Sequence, residues 1–405
     1  MELPKALEMY KGLPRSIYVL FLSRIVNSMG AFVRPFLTIF LTTNMGIGES
    51  LAGLIVTMAI IVYIPGSMMG GFMADRMGRK NIYICFMSAA ALCFIPCAFL
   101  GNSMTIPALL ILSSFFNAAA EPASSSMVAD LTNPSNRKAS FSLLYLGINI
   151  GFSVGPLIAG FLYNNFIEMI FIGDAMTTFI AIYLVYRYVE ESRPDLSCVD
   201  LDESSDERPE TGSIFKVIKA RPFLIMAAIV SIMLSFVMSQ MNFALPLFTN
   251  EVFGTTRGPT LFGGLMSVNG IIVVVMTVFL ISLTKALRPI QNMSISGVLY
   301  AAGYGMLFFV RSYELFIIST VIWTLGEILM ATNWGIYIAN HTPMSHRGRF
   351  NAVLNTMGGT GHAISPLMIG LYIEKYTIYN LWPLMFVIAM ACASLYLVLS
   401  KIEKR

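Results

Sequence analysis

Five ionisable residues lie inside long apolar runs of this sequence, where a charge is costly unless it has a partner. They are Arg24, Arg34, Glu121, Asp174 and Glu327. A carboxyl group held away from water can exchange a proton near neutral pH, and a buried arginine can bind a carboxylate. Ionisable residues at membrane depth are therefore candidates for a functional site. Arg24 lies near the start of its run, and we expect its flexible side chain to extend to the polar surface.

Two of these residues are predicted to exchange protons, namely Glu327 as the main carboxylate and Glu121, beside Pro122, as the second. Arg34 lies ~15 Å further along a helix than Arg24, too deep to reach either surface. It therefore needs an internal carboxylate, Glu121 or Glu327, or a bound anion. We expect the internal pair, and the bound anion stays the alternative. Asp174 is expected to be a helix-end or interface group.

The elements that position these residues are predicted from composition. The chain has 405 residues, of which 56% are hydrophobic and 12% are charged, about half the charged fraction of a soluble domain. Its net charge of +4 is spread over short loops and does not indicate nucleic-acid binding. The five cysteines lack metal-ligand spacing, so neither a metal nor a cofactor is expected. A cleavable signal peptide and an ATP-binding motif are not expected either.

Twelve apolar runs are long enough to cross ~30 Å of hydrocarbon. Only helices or closed barrels satisfy the backbone there, and these runs are too evenly apolar for barrel strands. The predicted fold is an all-α membrane protein with twelve transmembrane helices. The runs cover 16–43, 51–74, 81–100, 105–130, 140–163, 166–189, 222–249, 261–284, 290–310, 314–340, 351–373 and 380–400.

Lysine and arginine are concentrated in one set of alternating loops, and the other set holds only Arg257, Arg311 and Lys375. This bias places both termini in the cytoplasm of a multi-pass cell-membrane protein, in a bacterial inner membrane or a plasma membrane. The acidic stretch 190–214 cannot bury itself and is predicted to be a cytoplasmic linker. It divides the chain into two six-helix bundles, 1–189 and 215–405.

The two halves repeat each other. Asp130-Leu-Thr-Asn-Pro-Ser-Asn-Arg137 and Asn340-His-Thr-Pro-Met-Ser-His-Arg347 each end an apolar run and lead to an arginine before the next. The same offset of 210 aligns Gly151 with Gly361, Pro156 with Pro366 and Gly160 with Gly370. Such duplication of a six-helix unit is typical of secondary transporters, with the substrate site between the halves.

The loop after the second run reads Gly71-Phe-Met-Ala-Asp75-Arg76-Met-Gly78-Arg79-Lys80. Its pattern, G-x3-D-[RK]-x-G-[RK]-[RK], resembles the signature loop of the major facilitator superfamily. The resemblance implies two pseudo-symmetric six-helix bundles, alternating access, and a central cavity lined by helices 1, 4, 7 and 10. It also implies a conformational gate, for which we assign Asp75, Arg76, Gly78, Arg79, Asp130 and Arg137.

The fifth run places small residues four apart, at Gly151, Gly155 and, after Pro156, Gly160. This spacing favours close helix packing. It also resembles a motif of the antiporter branch of the superfamily, except that Ala159 stands where a glycine is expected. Packing alone, with no bearing on transport direction, remains the alternative.

The chain as a whole is similar to the bacterial twelve-helix drug:proton antiporters. This implies a proton-coupled carrier, not an enzyme, which exports drug-like or amphiphilic molecules. The fourth run departs from that branch, because Phe116-Asn-Ala-Ala-Ala-Glu121-Pro122 replaces its arginine pattern. The alternatives are a carrier for one anionic metabolite, peptide or lipid, with Arg34 as its anion clamp, and a membrane receptor or assembly subunit.

The substrate-binding wall is predicted from polar residues on the four cavity helices. We expect the partners to be a small-molecule substrate, protons and the lipid bilayer, and the protein to be a monomer. The predicted substrate-binding residues are Arg34, Asn27, Asn117, Gln240, Asn242, Glu327, Asn333 and Trp334.

Overall fold

A computed structural model describes residues 10–133, 136–191, 222–341 and 347–403. Of the predicted acidic linker, only Glu190 and Glu191 fall within these residues. The described residues form helices, turns and short connections, and no strand occurs among them. This agrees with the all-α prediction.

Fourteen α-helices make up the described chain. Two apolar runs are built from pairs of helices, because the first run is interrupted after Met29 and the second after Ile61. The helices are α1 Arg15–Met29, α2 Val33–Ile39, α3 Glu49–Ile61, α4 Tyr63–Met77, α5 Arg79–Cys97, α6 Thr105–Asp130, α7 Arg137–Asn165, α8 Ile167–Tyr188, α9 Pro222–Met238, α10 Ala244–Thr284, α11 Pro289–Met306, α12 Tyr313–His341, α13 Arg347–Lys375 and α14 Leu381–Ile402.

Three further features complete this order. A π-helical turn, Phe40–Asn44, continues α2, and a short 3-10 helix, Ser239–Met241, separates α9 from α10. The long α10 is interrupted at Gly254, whose φ of 79° is not helical. Its two parts therefore belong to the seventh and eighth predicted runs.

Nine helical stretches in the described chain are long and apolar enough to cross a membrane. One of them, Phe223–Thr284, has 62 residues and contains two of the predicted runs. Helices also occupy the ninth and eleventh predicted runs, as α11 and α13, but they are not among the nine. The chain is a multi-pass membrane protein, and the count of twelve spans stays a prediction.

The chain divides into two compact units. Unit 1 contains Met1–Ile47, Ile55–Val199 and Thr249–Val274, and unit 2 contains Gly48–Leu54, Asp200–Phe248 and Val275–Arg405. Each unit thus takes one segment from the opposite half of the chain. The division into bundles 1–189 and 215–405 stays a prediction.

Small residues let the helices of unit 1 approach closely. A Cβ on Gly70 of α4 would lie 1.9 Å from the carbonyl oxygen of Ala119 on α6, so only glycine fits there. Unit 2 instead contains a cluster of buried aromatic rings. Tyr304 lies 5.9 Å from Trp323 and 5.7 Å from Trp382, measured between ring centroids. These packed helices are the scaffold for the polar side chains considered next.

Candidate functional site

The first apolar run is broken between Met29 and Val33. Pro35 explains the position of the break. A proline has no N–H to donate to the carbonyl of the residue four positions earlier, and its ring clashes with that carbonyl. Pro35 therefore occupies the first turn of a new helix, α2, where a missing N–H costs nothing. Gly30 allows the chain to pass α8 closely, since a Cβ there would lie 1.7 Å from the hydroxyl of Thr177.

Asp174 of α8 satisfies the backbone at this break. The N–H of Val33 donates to Asp174 Oδ2 over 3.2 Å, and the backbone of Phe32 also faces this carboxyl group. Asp174 is only 8% exposed. A free N–H in hydrocarbon would cost several kcal/mol, so this contact stabilises the broken helix. The placement agrees with the prediction of a helix-end or interface group.

Arg24 pairs with Glu121 in unit 1. Its Nη2 lies 3.2 Å from Glu121 Oε1 and donates to Ser124 Oγ over 2.8 Å. This corrects the expectation that Arg24 extends to the polar surface. It also gives Arg24 one of the two carboxylates, Glu121 and Glu327, that were expected as internal partners of Arg34. The physical reason is that Ser124, one turn after Glu121 on α6, adds a second acceptor for the same guanidinium.

Arg34 is exposed, and within its own unit it has no carboxylate partner among the described residues. The hydroxyl of Tyr63 on α4 interacts electrostatically with Arg34, Arg24 and Glu121. Tyr63 is itself 45% exposed. We call these four side chains the Arg34 cluster. With two cations and one carboxylate, it carries a net positive charge and can accept an anion.

Sequence reasoning did not identify Tyr63 as part of this cluster, or Ser124 as a partner of Arg24. A single tyrosine or serine in an apolar run carries no pattern that separates it from a packing residue. The charges alone gave a signal, because charged residues inside such runs are rare. The helix register that brings the side chains together is not visible in the sequence.

In unit 2, Glu327 of α12 lies beside α11. It interacts electrostatically with Tyr300 and Tyr304, whose side chains are 2% and 0% exposed. The hydroxyl of Ser296 donates to the carbonyl of Gly326 over 2.6 Å and holds the two helices together. Glu327 is half-buried, so it remains a candidate for proton exchange.

The seventh run is also broken, and a proline again lies in the first turn of the helix that follows. After the 3-10 helix, Pro246 is the third residue of α10, as Pro35 is of α2. The freed carbonyl of Phe236 accepts bonds from Gln240 Nε2 over 2.8 Å and Ser365 Oγ over 3.1 Å. Gln240, a predicted wall residue, is 0% exposed and also donates to Ser365 Oγ.

Several other predicted wall residues are bound to the protein itself. Asn27 accepts a bond from Thr178 Oγ1 over 3.1 Å, and Asn117 donates to the carbonyl of Ser113 in its own helix over 3.1 Å. These contacts show that a polar residue on a cavity helix does not have to face a cavity.

The remaining wall residues lie in unit 2. Asn333 is 7% exposed and accepts a bond of 3.0 Å from Asn292 Nδ2. Trp334 stacks on Tyr337 with ring centroids 6.5 Å apart. Asn242 is half-buried at the break before α10. Their role as ligands of a substrate stays a prediction.

The predicted gate loop is a tight connection between α4 and α5. Gly78 has a φ of 98°, which favours glycine. The carboxylate of Glu191 accepts the N–H groups of Arg79 over 2.8 Å and Lys80 over 3.2 Å, at the start of α5. A Cβ on Gly78 would lie 2.6 Å from Glu191 Oε2. The motif glycine therefore leaves room for this cap.

The charged gate residues do not all meet. Arg79 Nε lies 2.8 Å from Asp130 Oδ2, at an angle unsuited to a hydrogen bond, so the contact is ionic. Asp75 is 3.7 Å from Arg79 Nη2, and its side chain is 73% exposed. Arg137 donates to the carbonyls of Ala129, in the last turn of α6, and Thr132, just beyond it.

Arg76 follows a different contact. Its guanidinium lies 4.0 Å from the centre of the Phe72 ring, one turn earlier on α4. This cation–π contact leaves Arg76 outside the Arg79 ion pairs.

The small residues of the fifth-run motif lie close to two neighbouring helices. Cβ atoms on Gly151 and Gly155 would lie 2.6 Å and 2.7 Å from the carbonyl oxygens of Ile25 and Met29 on α1. The other side meets α10, where a Cβ on Gly160 would lie 2.9 Å from the carbonyl of Pro259. The motif therefore joins α7 to two helices of unit 1.

Comparison with known proteins supplies the family. The Major Facilitator Superfamily profile matches residues 20–366. The uncharacterized MFS-type transporter YqjV of Bacillus subtilis (strain 168) is 24% identical over 84% of this chain and 82% of its own length. A Na(+), Li(+), K(+)/H(+) antiporter of Planococcus maritimus is 24% identical over 85% and 86%.

Of two further matches, one covers only part of the chain and the other is a solved structure. A gallate transporter of Pseudomonas putida is 24% identical over a shorter stretch, 35% of this chain and 32% of its own. A crystal structure of a POT family transporter in complex with 5-aminolevulinic acid has a TM-score of 0.81 at 16% identity, covering 98% of both chains. At that identity the likeness shows the fold alone. The chain therefore belongs to the Major Facilitator Superfamily and is a transporter, not an enzyme.

Proposed function

We propose that this transporter is a proton-coupled carrier of a small organic anion, and that Arg34 binds the anionic group of the substrate. One observation carries the proposal. Glu121 is paired with Arg24, while Arg34 is exposed and lacks a carboxylate partner in its unit among the described residues. The alternative that the sequence left open is thus the better supported one.

A second argument comes from the repeat. Val33-Arg34-Pro35-Phe36-Leu37 aligns with Ala244-Leu245-Pro246-Leu247-Phe248 at an offset of 211. The repeat position of Arg34 is Leu245, which is 1% exposed. The broken helix therefore does not need a cation at this position. An arginine kept at membrane depth without a structural requirement supports a role in binding.

Proton coupling would use the Arg24–Glu121 pair. The two side chains are 21% and 46% exposed, so water and a substrate can reach them. A proton on Glu121 removes the negative charge that holds Arg24, and Arg24 can then contribute to binding the anion. Proton and anion would in this way favour each other's binding, as thermodynamic linkage requires.

The relatives suggest where to look for the substrate. The partly matching gallate transporter makes aromatic carboxylates the first class to test. A carboxylate can form two parallel bonds with the guanidinium of Arg34, and the ring of Tyr63 lies within electrostatic range of that arginine. The matching antiporter supports coupling to an ion gradient.

A second candidate is proton-coupled export of drug-like or amphiphilic molecules, with Glu327 as the coupling group. The observation that favours it is the half-buried position of Glu327 beside Tyr300 and Tyr304. A half-buried carboxylate can pair with a cationic group of a ligand. For both candidates we propose cytoplasmic termini, from the loop bias of lysine and arginine, and a monomer.

The test uses purified full-length protein. Aromatic and aliphatic carboxylates and cationic amphiphiles are screened by thermal shift, and transport is measured in proteoliposomes. Arg34→Leu, which copies the repeat position, should keep the fold and weaken binding of the anion on the order of 100-fold, about 2.7 kcal/mol. Arg257→Gln, in the exposed part of α10, is the matched control and should change nothing.

Two results would contradict the proposal. One is an anion that binds Arg34→Leu as tightly as the wild-type protein. The other is a screen in which only cationic amphiphiles stabilise the protein and Glu327→Gln removes their effect, which would establish the second candidate.

A further inference from the structure

We infer that Asp174 is a positioning residue that sets the orientation of Arg34 by holding the start of α2. The expected effect on anion binding rests on the proposed function, whereas the effect on the position of Arg34 does not depend on it. Val33, whose N–H donates to Asp174 Oδ2 over 3.2 Å, is the residue directly before Arg34. Any movement of this N–H therefore moves the backbone that carries the guanidinium.

The residues between the two half-helices are bonded to α1 and to each other. The N–H groups of Gly30 and Ala31 donate to the carbonyls of Val26 and Ser28 over 3.1 and 3.3 Å, and the N–H of Phe32 donates to the carbonyl of Gly30 over 2.7 Å. Pro35 has no N–H to offer, so the first turn of α2 cannot be tied to α1 through that residue. The direction of α2 relative to α1 is thus set from outside, by α8.

Helix α8 contacts both half-helices along one line. Ser23 Oγ donates to the carbonyl of Ala181 over 3.1 Å, and Thr178 Oγ1 donates to Asn27 Oδ1 over 3.1 Å. One turn further, Asp174 receives the bond from Val33 of α2. The first two bonds fix α1 and the third fixes α2, so α8 spans the break and holds the two pieces in one arrangement.

The side chains around the break leave little freedom for another arrangement. A Cβ on Gly173 would lie 2.8 Å from the ring of Phe32, so this ring packs on the backbone beside Asp174. The break in the seventh run is different, because its freed carbonyl is satisfied by the neutral side chains of Gln240 and Ser365. A carboxyl group at the first break is thus a feature of the half that carries Arg34.

The test separates position from ligand. In a cysteine-free background, the thiol introduced by Arg34→Cys is labelled with a water-soluble reagent, with and without Asp174→Ala. We expect Asp174→Ala to change the labelling rate about tenfold or more, equivalent to about 1.4 kcal/mol. Asp174→Asn keeps an oxygen acceptor for Val33 and should change the rate less than about twofold. The thiol introduced by Arg257→Cys, in the exposed part of α10, is the control and should keep its rate.

Binding is measured in the same Asp174 variants with the native Arg34. The apparent affinity for the anion should fall with Asp174→Ala and recover with Asp174→Asn, whereas a purely structural role would lower the melting temperature and leave affinity unchanged. Equal labelling rates in all three backgrounds would overturn the inference whether or not an anion is transported. A changed rate in a protein that binds no anion would instead contradict only the proposed function.

Discussion

Gly263 of α10 lies against the backbone of Pro156 on α7, so closely that a Cβ on the glycine would be 2.3 Å from the proline carbonyl oxygen. Unit 2 contains the same relationship, because a Cβ on Gly53 would be 2.2 Å from the carbonyl oxygen of Pro366. The offset of 210 that relates the two prolines also relates the two glycines. The internal repeat therefore extends from sequence to packing.

Alanine at either glycine should be destabilising, because the backbone oxygen it meets cannot rotate away. We expect Gly263→Ala and Gly53→Ala each to cost about 1–3 kcal/mol of unfolding free energy, as overpacked sites do. The two costs should be similar, since the contacts are repeat copies. Thermal unfolding of the purified protein measures them.

The matched control is Gly335→Ala in α12, where a Cβ would meet nothing within 4 Å. This variant should be neutral within about 0.5 kcal/mol. If Gly263→Ala and Gly335→Ala had the same melting temperature, α10 and α7 would have room for a methyl group that the structure does not show.

The Arg24–Glu121 pair predicts non-additive mutations. Arg24→Ala leaves Glu121 without its cation, and Glu121→Gln keeps one oxygen acceptor for Arg24 but removes the negative charge beside it. The double variant should lose less unfolding free energy than the sum of the losses of the two single variants. The difference, which is the coupling energy, should be on the order of 1 kcal/mol. A double-mutant cycle by thermal unfolding measures this coupling. Additive effects would mean that the pair contributes nothing.

The two aspartates near Arg79 should differ. Asp130 is 2.8 Å from the guanidinium and its side chain is 21% exposed, whereas Asp75 is 3.7 Å away and 73% exposed. Asp130→Asn should lower the melting temperature, and Asp75→Asn should leave it unchanged, since exposed pairs contribute ~0–1 kcal/mol. Asp75→Asn is expected to slow exchange between transport states while substrate binding is kept. Unchanged transport in Asp75→Asn would leave this residue as surface charge only.

Sequence reasoning reached the fold class, the family, the repeat and the list of charges, because each depends on local pattern or fixed spacing. It misplaced Arg24, because the position of a residue along one helix does not show which side chains of other helices lie beside it. Glu121 lies 97 positions away on α6, and only the tertiary arrangement of α1 and α6 brings the two side chains together. The break at Gly30 and Pro35 also escaped notice, although both residues are visible in the sequence, since an apolar run reads as one helix.

The last prediction concerns Gly78, whose replacement should carry two separable costs. One is backbone strain at a φ of 98°, and the other is the 2.6 Å approach to Glu191. Gly46 gives a reference for strain in open space, because it has a φ of 66° and nothing within 4 Å of its Cβ position. Gly46→Ala should therefore cost about 1–2 kcal/mol from strain alone. The strain at Gly78 should be larger, since its ψ of 145° places it in a region that is essentially restricted to glycine.

Gly78→Ala should cost more than Gly46→Ala, because it also displaces the carboxylate that caps α5 through Arg79 and Lys80. In a Glu191→Ala background the part of the cost that comes from the contact with Glu191 should vanish, leaving only the backbone strain at position 78. Melting temperatures of the single and double variants give the comparison. If the cost of Gly78→Ala were the same with and without Glu191, the motif glycine would serve the turn alone and the cap would be incidental.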